Sequence, residues 1–329
     1  MYEIVVDVYG GDYSPKETVA GALAALNDYS DFSLVLTGKK EEISALVGQN
    51  DRVTIVDAPD EITNNDVPTE AVRNKPNSSL VAAIDYMNAH EDAKAFVSTG
   101  STGAVLTAAV LLTRRIRGVI RPALAPVLPT VKGDKKVILI DCGANVEPKA
   151  QNLLQFAQMG CAYAKALGVD NPVVALQSNG TEDKKGNTLN KETFPLLKES
   201  GLNFAGNIEA REILSGDFDV IVADGFSGNI ALKACEGTAV SMFSLIKDGI
   251  MNGGLRAKLG YLLLKPVFKK IKHTMDYNDN GGAVLLGLNK IIVKGHGASK
   301  AKAVRNTVLQ ARDLVMRDIV TKISGEITK

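Results

Sequence analysis

Ala95-Phe96-Val97-Ser98-Thr99-Gly100-Ser101-Thr102-Gly103-Ala104 carries the chain from an apolar strand, through a turn of glycines and small hydroxyl residues, into an apolar helical pattern over Thr102–Arg117. The same theme recurs on either side of it. Strands are expected at Ile4–Val8, Ser33–Leu36, Val53–Val56, Leu124–Leu128, Val137–Ile140, Val173–Leu176, Asn203–Ala205 and Val220–Ala223. Several are unbroken Val/Ile/Leu/Ala runs rather than alternations, as strands buried on both faces require. Helical segments fall between them at Pro15–Asn27, Ser79–His90, Asn152–Leu167 and Asn229–Lys247. Strands alternating with helices imply a mostly parallel sheet covered on both faces, a doubly wound α/β/α layer structure. No repeat or low-complexity tract divides the 329 residues, which read as one α/β catalytic domain. The irregular stretch Gly118–Gly133 is where two lobes could join.

Composition narrows the class. The chain is 45% hydrophobic and 23% charged with a formal net charge of +1, so no global field draws nucleic acid or a membrane. Only 5% of residues are aromatic and Trp is absent, which argues against a stacking platform for single-stranded nucleic acid. Cys142, Cys161 and Cys235 are odd in number and widely spaced, unlike a disulfide framework or a metal motif, and fit reduced thiols in the cytoplasm. The N-terminus enters a strand pattern at once, with no leader ahead of it, and no apolar run approaches the length of a membrane span.

In open α/β sheets ligands bind beyond the carboxyl ends of the strands. Five such ends combine glycine with small polar or acidic residues: Tyr9-Gly10-Gly11-Asp12, Ser98–Gly103, Asp141-Cys142-Gly143-Ala144-Asn145, Ser178-Asn179-Gly180-Thr181 and Asp224-Gly225-Phe226-Ser227-Gly228-Asn229. Glycine and Asx residues also make ordinary strand-to-helix turns, but five at one sheet edge favour a site. The Ser98–Gly103 loop opens into a helix, whose free N–H groups and dipole suit an anion. Neither a Walker loop nor Gly-x-Gly-x-x-Gly after a strand occurs, which weakens nucleotide and dinucleotide readings.

These loops, with Arg121-Pro122-Ala123-Leu124-Ala125-Pro126, Leu154–Gly160 and Asn207–Leu214, resemble the signature stretches of the bacterial acyl-ACP:phosphate acyltransferase family, in order and nearly end to end. The resemblance implies a homodimeric α/β/α fold related to phosphotransacetylases and to the isopropylmalate dehydrogenase-like fold. It further implies transfer of a fatty acyl group from acyl carrier protein to inorganic phosphate in phospholipid synthesis, without a cofactor. Val8-Tyr9 stands where the family more often has Ala-Met, Ser101 where Asn is usual, and Cys142 where an aliphatic residue is usual. Ser178-Asn179-Gly180-Thr181-Glu182 replaces an Asn-Ile-Gly-Glu-like stretch.

Phosphate is itself a competent nucleophile, so the reaction needs positioning and charge stabilisation more than a catalytic triad. Gly10, Gly11, Asp12, Ser98, Thr99, Gly100, Ser101, Thr102, Gly103, Gly143 and Gly228 are assigned to substrate and phosphate binding. Asn145 and Asn229 are candidates to orient thioester and phosphate, Lys184 and Lys185 to offset charge, and Asp12 and Asp224 to orient the donors. Asp12, Asp141 and Asp224 have a plainer use as helix caps, and Glu182-Asp183-Lys184-Lys185 a plainer one as a solvated turn. Cys142 reads as a packed side chain, although a thiolate could attack a thioester. The histidines show no relay or metal spacing, and His296 in Lys294-Gly295-His296-Gly297 is the one histidine placed in the site.

Two basic stretches suggest partners. Arg114, Arg115, Arg117 and Arg121 follow the Thr102 helix and suit the acidic carrier protein. Residues 253–272 contain no acid, and place Leu255, Leu259, Leu262 and Leu263 on one helical face beside Arg256 and Lys258. That pattern reads as a peripheral membrane contact, with a dimer interface as the alternative, and Pro266 should kink or break the helix. Competing functions are a relative acting on acyl-CoA thioesters, a nicotinamide-dependent decarboxylating dehydrogenase, and a membrane scaffold.

Overall fold

A computed structural model describes residues 1–275 and 281–327, with the side chains of 270 and 272–275 left aside. The chain divides into two compact units. The first comprises residues 1–126, 158–170 and the described residues from 281 onward, and the second comprises 127–157 and 171–275.

The first unit is built on a seven-stranded sheet. Its elements are β1 (Tyr2–Asp7), α1 (Lys16–Asp28), β2 (Phe32–Gly38), α2 (Lys40–Val47), β3 (Val53–Asp57), α3 (Pro68–Asn74), α4 (Ser79–Ala89), β4 (Ala93–Ser98), α5 (Thr102–Leu112) and β5 (Ala123–Ala125). Near the other end of the chain β11 (Ala283–Leu286), β12 (Ile291–Lys294), α10 (Ala301–Met316) and α11 (Ile319–Ile327) complete it. The sheet order is β3-β2-β1-β4-β12-β11-β5, parallel except for β11, which runs against both its neighbours. The chain steps outward from β1 to β3, then returns to place β4 on the other side of β1. Right-handed crossovers therefore put α1 and α4 on opposite faces. In keeping with this, α1 packs on α10, and α4 on α5. Ile4, Val5, Leu34, Val35, Ala95 and Phe96 are fully buried, so neighbouring positions along each strand are covered on both faces.

The second unit has five strands in the order β6-β7-β10-β8-β9. These are β6 (Val127–Pro129), β7 (Lys136–Ile140), β8 (Val174–Ser178), β9 (Phe204–Glu209) and β10 (Val220–Val222), all parallel but β6. The helices are α6 (Ala150–Ala166, whose last residues are counted with the first unit), α7 (Thr188–Glu199), α8 (Gly225–Asn252) and α9 (Gly254–Met275). Leu139, Cys142, Ala175, Ile208, Ile221 and Leu232 belong to its core.

The doubly wound, mostly parallel α/β arrangement is as expected, but in two sheets rather than one. The strand expected over Leu124–Leu128 is two strands, β5 and β6, one in each sheet. Pro126 stands between them and has no N–H for a ladder. The helix expected to reach Arg117 stops at Leu112, because Ile116 N–H donates to Gly287 O and Asn289 N–H to Arg114 O, pairing this segment with the β11–β12 turn. In contrast, α9 runs unbroken through Pro266. The carbonyl freed by the proline belongs to Leu262, which is exposed, so water can satisfy it.

Candidate functional site

Since β1 and β4 are the parallel neighbours at which the strand order reverses, the loops after them flank a topological switch point. The fit of these loops is close. A Cβ on Gly10 would lie 2.6 Å from Gly100 N and 2.8 Å from Ser98 Oγ, and one on Gly11 would lie 2.5 Å from Thr99 Oγ1. Only glycine permits that approach. The turn after β12 joins them, with Asp12 N–H donating to Gly297 O at 2.9 Å. Ser98 is wholly buried and Thr99 nearly so. Ser98 Oγ donates to Asp7 Oδ2 at 2.7 Å and accepts from Gly100 N–H at 3.0 Å. These two side chains thus shape the loop, and Ser101, Thr102 and Gly103 are its accessible part.

The start of α5 is open. Ser101 makes no capping bond, the first turn holds no acid, and the N–H groups of Thr102 and Gly103 have no acceptor among the described residues. Ser78 caps α4, Asn187 caps α7 and Asp224 caps α8, whereas α1, α2 and α10 also begin without a side-chain cap. Unsatisfied N–H groups at the positive end of a helix dipole favour an anion.

In the second unit the loops after β7 and β10 are locked together. Asp141 accepts from Ala144 N–H and Asn145 N–H at 3.1 and 2.7 Å, and from Asn145 Nδ2 at 2.9 Å. Gly225 N–H donates to Asn145 O at 2.7 Å. Asp224 takes Phe226 N–H, Ser227 N–H and the Ser227 hydroxyl at 3.0, 2.8 and 2.7 Å. Asp224 therefore has the capping use that the sequence allowed it, on α8, whereas Asp141 ties its own loop, nine residues ahead of α6, and Asp12 is exposed and caps nothing on α1. A Cβ on Gly228 would lie 2.0 Å from Asp141 O, so this first turn of α8 rests directly on the β7 backbone. Asn229 is exposed and its side chain makes no hydrogen bond among the described residues, with its Cγ 3.9 Å from the Cβ position of Gly143, whose φ is +129°. Asn145 is 5% exposed. Burial, with Asp141 next, pushes the Cys142 thiol well above its ordinary value, so Cys142 is a packed side chain and a poor nucleophile.

The loop after β8 is held by amides. Gly186 N–H donates to Asn179 Oδ1, Asn190 Nδ2 to Gln177 O and Asn207 Nδ2 to Glu182 O, at 2.8, 2.7 and 2.8 Å. Lys184 projects from this frame, exposed and without a side-chain ion pair or hydrogen bond among the described residues, whereas Lys185 Nζ stands 4.0 Å from Glu182. The sequence reading placed all five loops on one sheet edge. The structure gives the loops with Gly10–Asp12 and Ser98–Gly103 to the first sheet, and those with Asn145, Lys184, Lys185, Asp224 and Asn229 to the second.

Outside these loops, His296 is exposed and its Nδ1 accepts from Ala298 N–H at 3.2 Å, so the neutral ring carries its proton on Nε2. Arg114, Arg115, Arg117 and Arg121 are all exposed, beyond the end of α5 and beside a 480 Å³ surface cavity lined by Val110, Leu111 and Arg117 among others. The expected stripe is bare: Leu255, Leu259, Leu262 and Leu263 are 54–81% exposed, and Lys258 is exposed with them. No described helix is long and apolar enough to cross a membrane. The sequence reading missed Asp7, Ser79, Gly295 and Gly297 around the first loop and Asn190 and Asn207 around the loop after β8. An acid closing the otherwise apolar run Ile4-Val5-Val6-Asp7 was the available signal for Asp7.

The profile of the family described as fatty acid synthesis protein matches residues 2–322. Phosphate acyltransferase of Bacillus cereus (strain B4264) is 42% identical over 328 residues, covering 99% of this chain and 98% of the relative. Phosphate acyltransferase of Clostridium novyi (strain NT) is 45% identical over 330 residues with the same coverage. Among solved structures, a phosphotransacetylase from Streptococcus pyogenes aligns with TM-score 0.60 at 18% identity, over 100% of this chain and 94% of that one. A 4-hydroxythreonine-4-phosphate dehydrogenase from Klebsiella pneumoniae aligns with TM-score 0.52 at 12% identity, over 97% and 100%. At those identities the solved structures speak for the fold alone, and one fold hosts transferases and dehydrogenases alike. The sequence relatives decide between them: the chain belongs to the fatty acid synthesis protein family and is a phosphate acyltransferase.

Proposed function

We propose that the acyl donor is acyl carrier protein and that the acyl-phosphate formed feeds phospholipid synthesis in the cytoplasm. A phosphate oxygen attacks the thioester carbonyl carbon, the C–S bond breaks, and the pantetheine thiolate leaves and takes up a proton. The observation that carries the phosphate half is the uncapped, acid-free start of α5 beside the rigid Gly10-Gly11 and Ser98–Gly100 backbones. Asn145 and Asn229 orient the reactants, Gly143 and Gly228 leave room for backbone approach, and Lys184 offsets charge, with Lys185 the weaker candidate because Glu182 stands beside it. The four exposed arginines support docking of an acidic carrier. The bare apolar surfaces of α8 and α9 support a homodimer and a peripheral membrane contact, since exposed patches of this kind mark interaction surfaces.

The test is to incubate the protein with palmitoyl-carrier protein and phosphate while following free carrier thiol and acyl-phosphate. Phosphate-dependent release of both is expected. Turnover with short acyl-CoA and none with the carrier would move the donor to coenzyme A, and failure with both donors would defeat the proposal.

A further inference from the structure

Asp7 ends β1 with its carboxylate 1% exposed. Its oxygens accept from Ser79 Oγ at 2.6 Å, Ser98 Oγ at 2.7 Å and Tyr9 N–H at 3.3 Å. No cation pairs with it among the described residues, and burial pushes its carboxyl above the ordinary value. A buried carboxylate without a cation is costly, and a chain that needed only to tie β1 to β4 could use a neutral side chain. What the carboxylate does that an amide cannot is accept on both sides at once. Both serine hydroxyls must then donate to it. With its hydrogen committed to Asp7, the Ser98 hydroxyl is held in one orientation, and its lone pair accepts from Gly100 N–H at 3.0 Å. Gly100 is the last residue before Ser101, where the open first turn of α5 begins. We infer that Asp7 is a positioning residue for phosphate: through Ser98 it fixes the Gly100 peptide, and with it the direction of the N–H groups at the start of α5. The inference rests on the reading of that helix start as the phosphate site.

In Asp7→Asn one amide edge must donate, so one serine hydroxyl loses its acceptor and the anchor that aims Ser98 Oγ at Gly100 N–H is weakened. The test compares Asp7→Asn, Ser98→Ala, the double variant and Ser79→Ala. Each is measured for KM of phosphate, KM of the acyl donor, kcat at saturating phosphate, inorganic phosphate binding by calorimetry, and Tm. Asp7→Asn and Ser98→Ala should each raise the phosphate KM and Kd about tenfold, the scale of one charge-assisted hydrogen bond, with the donor KM unmoved. The double variant should be no worse than the poorer single, because both act through one bond. Ser79→Ala removes a donor from the same carboxylate but leaves Ser98 alone, so it should lower Tm without moving the phosphate KM.

An additive double variant overturns the inference, as does a phosphate KM that rises equally in Ser79→Ala. A fall in Tm from Asp7→Asn with no change in phosphate affinity does the same. If Asp7→Asn does not fold, Ser98→Ala decides alone, and unchanged phosphate affinity there refutes the role. A wild type that binds no phosphate refutes the reading of α5 instead.

Discussion

Replacing Gly228 by alanine tests whether the candidate site of the second unit is as tightly built as its geometry says. The added Cβ would meet Asp141 O at 2.0 Å, where real contacts essentially never fall below 3.0 Å, so the first turn of α8 or the β7 loop must retreat by at least about 1 Å. Neither contact atom is the end of a flexible side chain. Overpacking of this kind costs about 1–3 kcal/mol, a loss of several degrees in Tm. Asn229 is the next residue, and a shift of about 1 Å in a reacting constellation costs on the order of 10²-fold in rate. Thermal unfolding and phosphate-dependent thiol release from acyl carrier protein, measured on one preparation, give both numbers. Gly325→Ala in α11 is the control, because its Cβ meets nothing within 4 Å and alanine is the better helix former. Wild-type Tm and turnover in Gly228→Ala would refute the close approach and the tight placement of Asn229 argued from it.

Lys184→Ala should leave Tm unchanged, since Lys184 has no partner to lose, yet lower turnover about 10²-fold if it stabilises developing charge; unchanged turnover removes it from the mechanism. Arg117→Glu combined with Arg121→Glu should raise the KM for acyl carrier protein at least about tenfold at low salt while sparing a small acyl thioester. Equal loss with both donors would point to the fold rather than to docking. Leu259→Glu with Leu263→Glu should abolish sedimentation with anionic vesicles, and retained binding would assign the α9 stripe to another partner. Lys75, then Thr63, holds the Asp66 carboxyl down at about 2, below the unfolded value of 3.8. Its contribution is present above the unfolded value and lost as pH falls through the folded one. The Tm deficit of Asp66→Asn should therefore be constant above about pH 4 and shrink as pH falls toward 2; a deficit that does not shrink refutes the pairing.

The sequence made the strand-to-helix loops legible because the same residues do local and chemical work. Gly10-Gly11 and Ser98–Gly103 announce turns by composition, and their chemistry follows from what such turns expose. What it could not show was pairing between distant segments. Arg114 and Arg115 continue a helical pattern, and only the backbone bonds to Gly287 and Asn289 take them off the helix. Val284 to Leu286 and Ile291 to Val293 are too short to outweigh their surroundings until β4 and β5 supply partners. Side-chain burial was equally hidden. Ser98 and Thr99 look like ligands in a list of polar residues, and become scaffolding once Asp7 and Gly11 are seen against them. The bare stripe of α9 was readable because amphipathicity is a property of one segment alone.

The position of β12 bears on how the protein is made. Last in chain order of the seven strands of its sheet, it takes a central place beside β4 rather than an edge. Until residue 294 is available, nothing links β4 to β5 and β4 presents an open edge for wrong pairing. The turn that follows also supplies Gly297, which anchors Asp12. A nascent chain thus completes its second sheet while the first is still open, and the Gly10–Asp12 loop finds its last backbone partner only once residue 297 has emerged.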